Sequence, residues 1–285
     1  MGQDHRLPQQ RFELKYLIDE SIAGAMRDFI GSYLELDDYG VGQPNLSYPV
    51  HSLYLDSDDL HTFHATINGT KNRFKLRLRY YDERPDTPVF FEIKGRVDYC
   101  ILKQRCGVLR EAVPLLAAGQ LPSLEHLVSK EPRHWAAMQR FCLLLHQLNA
   151  RPKAHNRYVR EAWVSPHDNS VRVTFDRNVE IEPCFRVQTT TGMNHPTPVL
   201  KEFVILELKF TDRFPDWFRE MVRIFNLTWW ASAKYVGGVL LMGEHCFHDG
   251  DNSLDWQGLA PREWPMGAPP REAPMPEMET LSMYE

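Results

Sequence analysis

The residues best suited to chemistry in this chain are cations spaced two apart. Arg73, Lys75, Arg77 and Arg79 alternate with Phe74, Leu76, Leu78 and Tyr80. In an extended strand successive side chains point to opposite faces, so one face is a cationic row and the other is apolar. Like charges in such a row repel one another unless carboxylates or a bound anion answer them. A single strand of this kind is also satisfied by leaving its charges in water. Recurrence of the pattern is what argues for a shared site.

The same alternation returns along the chain. Arg11, Glu13 and Lys15 share a face over 11–16, Glu92, Lys94 and Arg96 over 89–97, and Lys103 and Arg105 over 100–110. Arg160 follows in 153–163, Arg172 and Asp176 in 171–177, and Glu207 and Lys209 in 203–210. The formal net charge is −5, so cations are segregated onto these faces rather than simply abundant. That balance disfavours a nucleic-acid binder, which carries a basic surplus. If the apolar faces pack under helices, the charged faces look at each other across an interior. An antiparallel barrel of about eight strands can hold a ligand there. Burying unpaired cations is costly, so the interior calls for a polyanion. Linear phosphate chains suit it best, because Arg forks match phosphate oxygens and Lys adds point charge. The few carboxylates then have a separate task, holding a hard divalent cation that bridges phosphates.

The elements needed to position these rows are legible. Hairpin-style connectivity predicts an antiparallel sheet and an α+β fold, with strands over 11–16, 50–56, 72–81, 89–97, 100–110, 153–163, 171–177, 179–181 and 203–210. Helical spacing covers 18–34, with Asp19 as N-cap, and 215–227 and 231–242, with a short helix and turn at 57–69. Residues 111–149 form a helical insert, and loops occupy 39–49, 82–88 and 187–199. One domain over 10–245 is expected, after a flexible lead-in at 1–9 and before a Pro-, Met- and Glu-rich tail, 249–285, that reads as disordered. The five cysteines form no CxxC pair, which argues against a disulfide framework or zinc site and fits a reducing cytosol. No secretory leader is visible, and no run reaches the roughly 18 apolar residues of a membrane span. Asp56, Asp58 and Asp59 read as turn and cap residues, Gly237-Gly238 as a close-packing point, and Trp229-Trp230 as apolar packing.

A set of short motifs, in this order, carries a resemblance. They are Glu13-Leu14-Lys15-Tyr16, Lys75-Leu76-Arg77-Leu78-Arg79, Phe91-Glu92-Ile93-Lys94, Lys103-Gln104-Arg105, Tyr158-Val159-Arg160, Val171 to Asp176, Leu206 to Phe210, and Ser232 to Tyr235. Together they resemble the VTC domain, the catalytic domain of the vacuolar transporter chaperone polyphosphate polymerase. That domain belongs to the triphosphate tunnel metalloenzymes, with CYTH-type triphosphatases and class IV adenylate cyclases. The resemblance implies a tunnel-shaped antiparallel β-barrel with helices outside, binding a nucleoside triphosphate and inorganic polyphosphate with Mn²⁺ or Mg²⁺; the cysteine usage makes a cytoplasmic location the expectation. It implies Lys15, Arg77, Arg79, Lys94, Lys103, Arg160, Arg172 and Lys234 as phosphate ligands and Glu207 as the metal ligand. Lys75, Arg105, Lys209 and Tyr158 join as substrate-binding residues, and Glu92 as a second metal carboxylate. The first strand reads Arg-x-Glu-x-Lys where CYTH triphosphatases have Glu-x-Glu-x-Lys. This favours the polymerase-like branch over a triphosphatase or polyphosphatase. A non-catalytic polyphosphate- or nucleotide-binding module is the third reading.

Overall fold

Period-two patterning produces a single large sheet. The computed structural model describes residues 11–97, 100–166, 168, 170–211, 213–230 and 233–248. The expected lead-in and tail lie outside the described residues, as does Ser232. Among the described residues there are ten strands: β1 (Arg11–Ile18), β2 (Glu35–Leu36), β3 (Ser47–Asp56), β4 (Arg73–Tyr80), β5 (Val89–Val97), β6 (Cys100–Val108), β7 (Arg151–Val164), β8 (Val171–Pro183), β9 (Thr197–Pro198) and β10 (Val204–Thr211). The main path runs β1-β10-β8-β7-β3-β4-β5-β6, with β2 on β7 and β9 on β8. Every pairing is antiparallel.

Two local readings change. The strands expected at 171–177 and 179–181 are one strand, β8, with Asn178 at φ 49° and a register shift against β7 between Arg157 and Val159. A bulge lets a long strand bend without ending. The first helix, α1 (Glu20–Ile30), stops short of residue 34, and Glu35–Leu36 pair with β7 instead. Asp19 does cap it, accepting a hydrogen bond from Ile22 N at 2.9 Å.

The expected closed barrel does not form by hydrogen bonding: β1 and β6 are the two ends of the path and do not pair. Their remaining edges are engaged elsewhere. Trp230 N donates to Lys15 O at 2.9 Å and Trp229 bridges Tyr16, while Val128 N donates to Gly107 O at 3.0 Å and Leu109 N to His126 O at 2.9 Å. An edge partly paired with a short segment presents fewer free groups to a neighbouring strand. The two ends nevertheless approach, with Cα atoms of β1 and β6 within 8 Å and Lys94 of β5 reaching Glu13 of β1 at 3.1 Å. The result is a strongly curved sheet with an interior and a seam.

Helices cover the outside. α1 and α5 (Asp216–Ile224) bury Met26, Ile30, Phe218 and Met221 against the apolar faces of β1, β8 and β10. Within the helical insert, α3 (Val113–Ala117) and α4 (Pro132–Gln147) place Leu116, Phe141 and Leu145 in the core formed with β5 and β6. α2 (His61–Ile67) and α6 (Lys234–Met242) meet at the last residue of β3. There the fully buried Asp56 accepts from Thr62 N at 2.9 Å, Phe63 N at 3.1 Å and Tyr235 Oη at 3.1 Å, which makes it a cap. At Gly238, an added Cβ would lie 2.3 Å from Ile181 Cδ1, so α6 needs glycine to approach β8. Contrary to a purely external placement, α6 delivers its first residue, Lys234, to the interior.

Candidate functional site

Strand register decides which charges meet. Arg77 lies opposite Glu92, and Glu92 opposite Arg105, across three neighbouring strands. Arg77 Nε donates to Glu92 Oε2 at 2.8 Å, while Lys103 Nζ stands 2.9 Å and Arg105 Nε 3.4 Å from Oε1. Glu92 is wholly buried, and burial alone would raise its pKa. Arg77, Arg79, Lys103 and Arg105 outweigh that and hold it well below the usual carboxylate range. Arg79 is more loosely held. Its Nη2 donates to Tyr158 Oη at 2.8 Å, but its Nε lies 3.9 Å from Glu92 and has no hydrogen-bond partner.

A second cluster forms around Glu207. Lys15 and Lys234 approach its Oε1 at 3.3 and 3.2 Å, and Lys209 and Arg160 its Oε2 at 2.5 and 3.4 Å. Burial would raise this carboxyl too; Lys209, Lys234, Lys15 and Arg160 instead drive it well below the ordinary range. Arg160 also binds Asp176 with both prongs of its fork, at 2.6 and 2.7 Å, and Lys234 sits 2.6 Å from the same carboxylate. The Tyr158 ring joins the two clusters. Arg79 bonds its hydroxyl, Arg160 lies 5.2 Å and Lys234 4.7 Å from its centroid.

Between the clusters, Lys15 is 3.2 Å and Lys94 3.1 Å from Glu13. Among the described residues no carboxylate forms an ion pair with Lys75; its ammonium donates to Thr66 Oγ1 at 2.5 Å. Burial, with the charges of Lys94, Arg73 and Lys15, lowers its pKa to about 7. Arg172 is set to one side, 2.6 Å from Asp37 and 3.4 Å from Tyr48 Oη. Lys15, Arg77, Arg79, Lys94, Lys103, Arg105, Arg160, Lys209 and Lys234 thus gather around Glu13, Glu92 and Glu207, whereas Arg172 stands beside them and Arg96 is exposed at the end of β5. Alternation placed Glu13 and Asp176 on the right face but did not mark them as partners of the cations. Asp37 lies in a turn and carried no such signal. A separate cavity of about 840 Å³, lined by His51, Tyr81, Glu83, Arg157, Glu180 and Lys201 among others, includes none of the interior cations.

Among the described residues, no group of three or more His, Cys, Asp and Glu side chains is placed to hold a metal by itself. What is present is a pair of carboxylates, Glu13 and Glu207, either side of the Lys15 ammonium. Magnesium is ordinarily held by one or two carboxylates, with water and substrate phosphates completing the shell. This donor set fits an ion of that kind. Glu92, enclosed by four cations, fits the part of a charge anchor better.

Fold and site together define an α+β protein whose curved antiparallel sheet encloses cations in excess of carboxylates. The chain matches the VTC domain model over residues 10–242, and it belongs to that family. No curated protein matches it. Among solved structures, one described as a "putative adenylate cyclase" from Bacillus halodurans aligns at 12% identity and TM-score 0.44, covering 80% of this chain and 96% of that one. The PH1819 protein from Pyrococcus horikoshii aligns at 12% identity and TM-score 0.41, covering 81% of this chain and 98% of that one. Neither likeness bears on activity. No helix among the described residues is long and apolar enough to cross a membrane.

Proposed function

We infer that residues 10–245 act as a metal-dependent phosphotransferase, moving the terminal phosphoryl group of a nucleoside triphosphate, ATP in the first instance, onto a polyphosphate chain. The observation that carries this reading is the interior excess of Arg and Lys in a net-acidic chain of the VTC family. Phosphoryl transfer asks for alignment and charge neutralisation more than for covalent help. An oxygen of the polyphosphate end attacks the γ-phosphorus, the bond to the bridging oxygen breaks, and nucleoside diphosphate leaves. Arg79, Lys94, Lys75 and Lys103 bind equatorial and terminal oxygens, where preorganised charge in a dry site is most effective. Arg160, Lys234 and Lys209 surround Glu207 and hold its carboxylate in place. Glu207 and Glu13 would hold a divalent ion, which would neutralise phosphate charge, and the Lys15 ammonium beside them binds phosphate oxygens.

The test is incubation of the purified protein with ATP and Mn²⁺ or Mg²⁺. Long-chain polyphosphate is the expected product. Free phosphate alone identifies a triphosphatase or polyphosphatase, and binding without turnover identifies a storage or sensing module.

A further inference from the structure

Four aromatic rings form a rim where β3 begins, β4 ends and β5 begins. Tyr39 lies 5.7 Å from Tyr81 at 22° and 5.6 Å from Tyr48, and Tyr81 lies 6.2 Å from Phe90. The opposite end of β3 is taken up by Asp56 with α2 and α6, so the rim marks the other end of the interior. It is continuous with the cations: the Arg105 guanidinium lies 3.4 Å over Phe90, and Tyr48 Oη lies 3.4 Å from Arg172. Tyr48 is buried and anchors the cluster, but Tyr39 is 59% exposed, and Val41 beside it is 62% exposed. Tyr39 stacks on Tyr81, tilts against Tyr48 and still leaves more than half of its surface exposed. The Asp37–Arg172 pair and the bond from Asp37 N to Ala162 O at 2.8 Å fix the turn that carries it.

We propose that the Tyr39–Tyr81 rim is a nucleobase platform, on which the base of the nucleoside triphosphate stacks while its phosphates extend inward to Arg79, Arg105 and Arg172. The inference rests on the phosphate-binding reading above and adds the end at which the nucleoside sits. Every base presents a π-face, so a platform of this sort tolerates purines of either kind. Inorganic polyphosphate, having no base, uses the cations without the rim.

The experiment compares ATP and tripolyphosphate binding by calorimetry in wild-type protein and the Tyr39→Ala, Tyr39→Phe and Tyr39→Trp variants. Expected is a loss of ATP affinity of about 5-fold or more for Tyr39→Ala, the scale of one base–aromatic stack. Tripolyphosphate affinity stays unchanged, and Tyr39→Phe and Tyr39→Trp retain ATP binding because both keep a ring. An ATP affinity untouched by Tyr39→Ala, or an equal loss for both ligands, overturns the platform and leaves phosphate binding standing. A wild-type protein that binds neither ligand overturns the phosphate reading itself, and the platform with it. Melting curves for each variant separate a binding loss from a folding loss, and a loss explained by unfolding of Tyr39→Ala is decided by whether Tyr39→Phe binds ATP as wild type does.

Discussion

Lys234 Nζ lies 3.2 Å from Glu207 Oε1, joining the first residue of α6 to the middle of β10 across 27 positions of sequence. The same ammonium is 2.6 Å from Asp176, so one cation ties two buried carboxylates. Without such partners each carboxylate would carry the full cost of burial. Glu207 is thus a structural knot, and the function proposed above gives it the metal as well.

Replacing Glu207 by Gln keeps the shape and removes the charge. Metal-dependent turnover should be lost, while metal-free tripolyphosphate binding stays intact or tightens slightly, because an interior already rich in cations loses an anion. Activity assays over a metal titration, paired with binding in chelator, check both halves. Near-normal turnover at ordinary metal concentration would return Glu207 to the role of a plain ion-pair partner for Lys209.

Arg77 and Arg79 are two residues apart and should behave differently. Arg79 has an Nε without a hydrogen-bond partner and makes only a distant contact with Glu92. Arg79→Ala should therefore weaken tripolyphosphate binding by about 1.5–3 kcal/mol, the range of charged hydrogen bonds, with little loss of stability. Arg77→Ala should cost stability as well, about 1–3 kcal/mol, because it strips a buried carboxylate of its nearest partner. Denaturant unfolding and calorimetry distinguish them, and equal stability losses would refute the distinction.

Lys75 should couple binding to pH. Its folded pKa of about 7 lies below the ordinary lysine value of 10.5, so between these limits the folded protein binds fewer protons there than the unfolded chain. Its contribution to the stability of the ligand-free protein accordingly rises with pH across that window. A polyanion reverses the effect by favouring the ammonium, so binding near neutral pH should take up protons and weaken as pH rises above about 7. Calorimetry in two buffers of different ionisation enthalpy measures the uptake, which Lys75→Met should reduce. Heats independent of buffer would remove Lys75 from the site.

An interior lined with mutually repelling cations gains most from a ligand that spans them. Tripolyphosphate should raise the melting temperature far more than orthophosphate at equal concentration, by mass action on the folded state. Added salt should narrow the gap as it screens the charges. Equal shifts for the two anions would argue against an extended multi-phosphate site.

Alternation along single strands was enough to place Arg77, Lys94, Arg160 and Glu207 on like faces, because side-chain direction in a strand is a local property with period two. The same local rule, with helical spacing and the Asp19 cap, made most of the helices and strands legible. Which strands become neighbours is a long-range matter, and there the sequence alone runs out. It could not say that Glu92 would stand between Arg77 and Arg105, since that depends on the register of β4, β5 and β6. Nor could it say that Lys234 would enter from a helix or that Asp37 would reach Arg172 from a turn. The open seam was likewise decided by tertiary structure. Some of the backbone groups on the free edges of β1 and β6 are taken by Trp230 and by the segment around Leu127, which leaves fewer for pairing between the two strands.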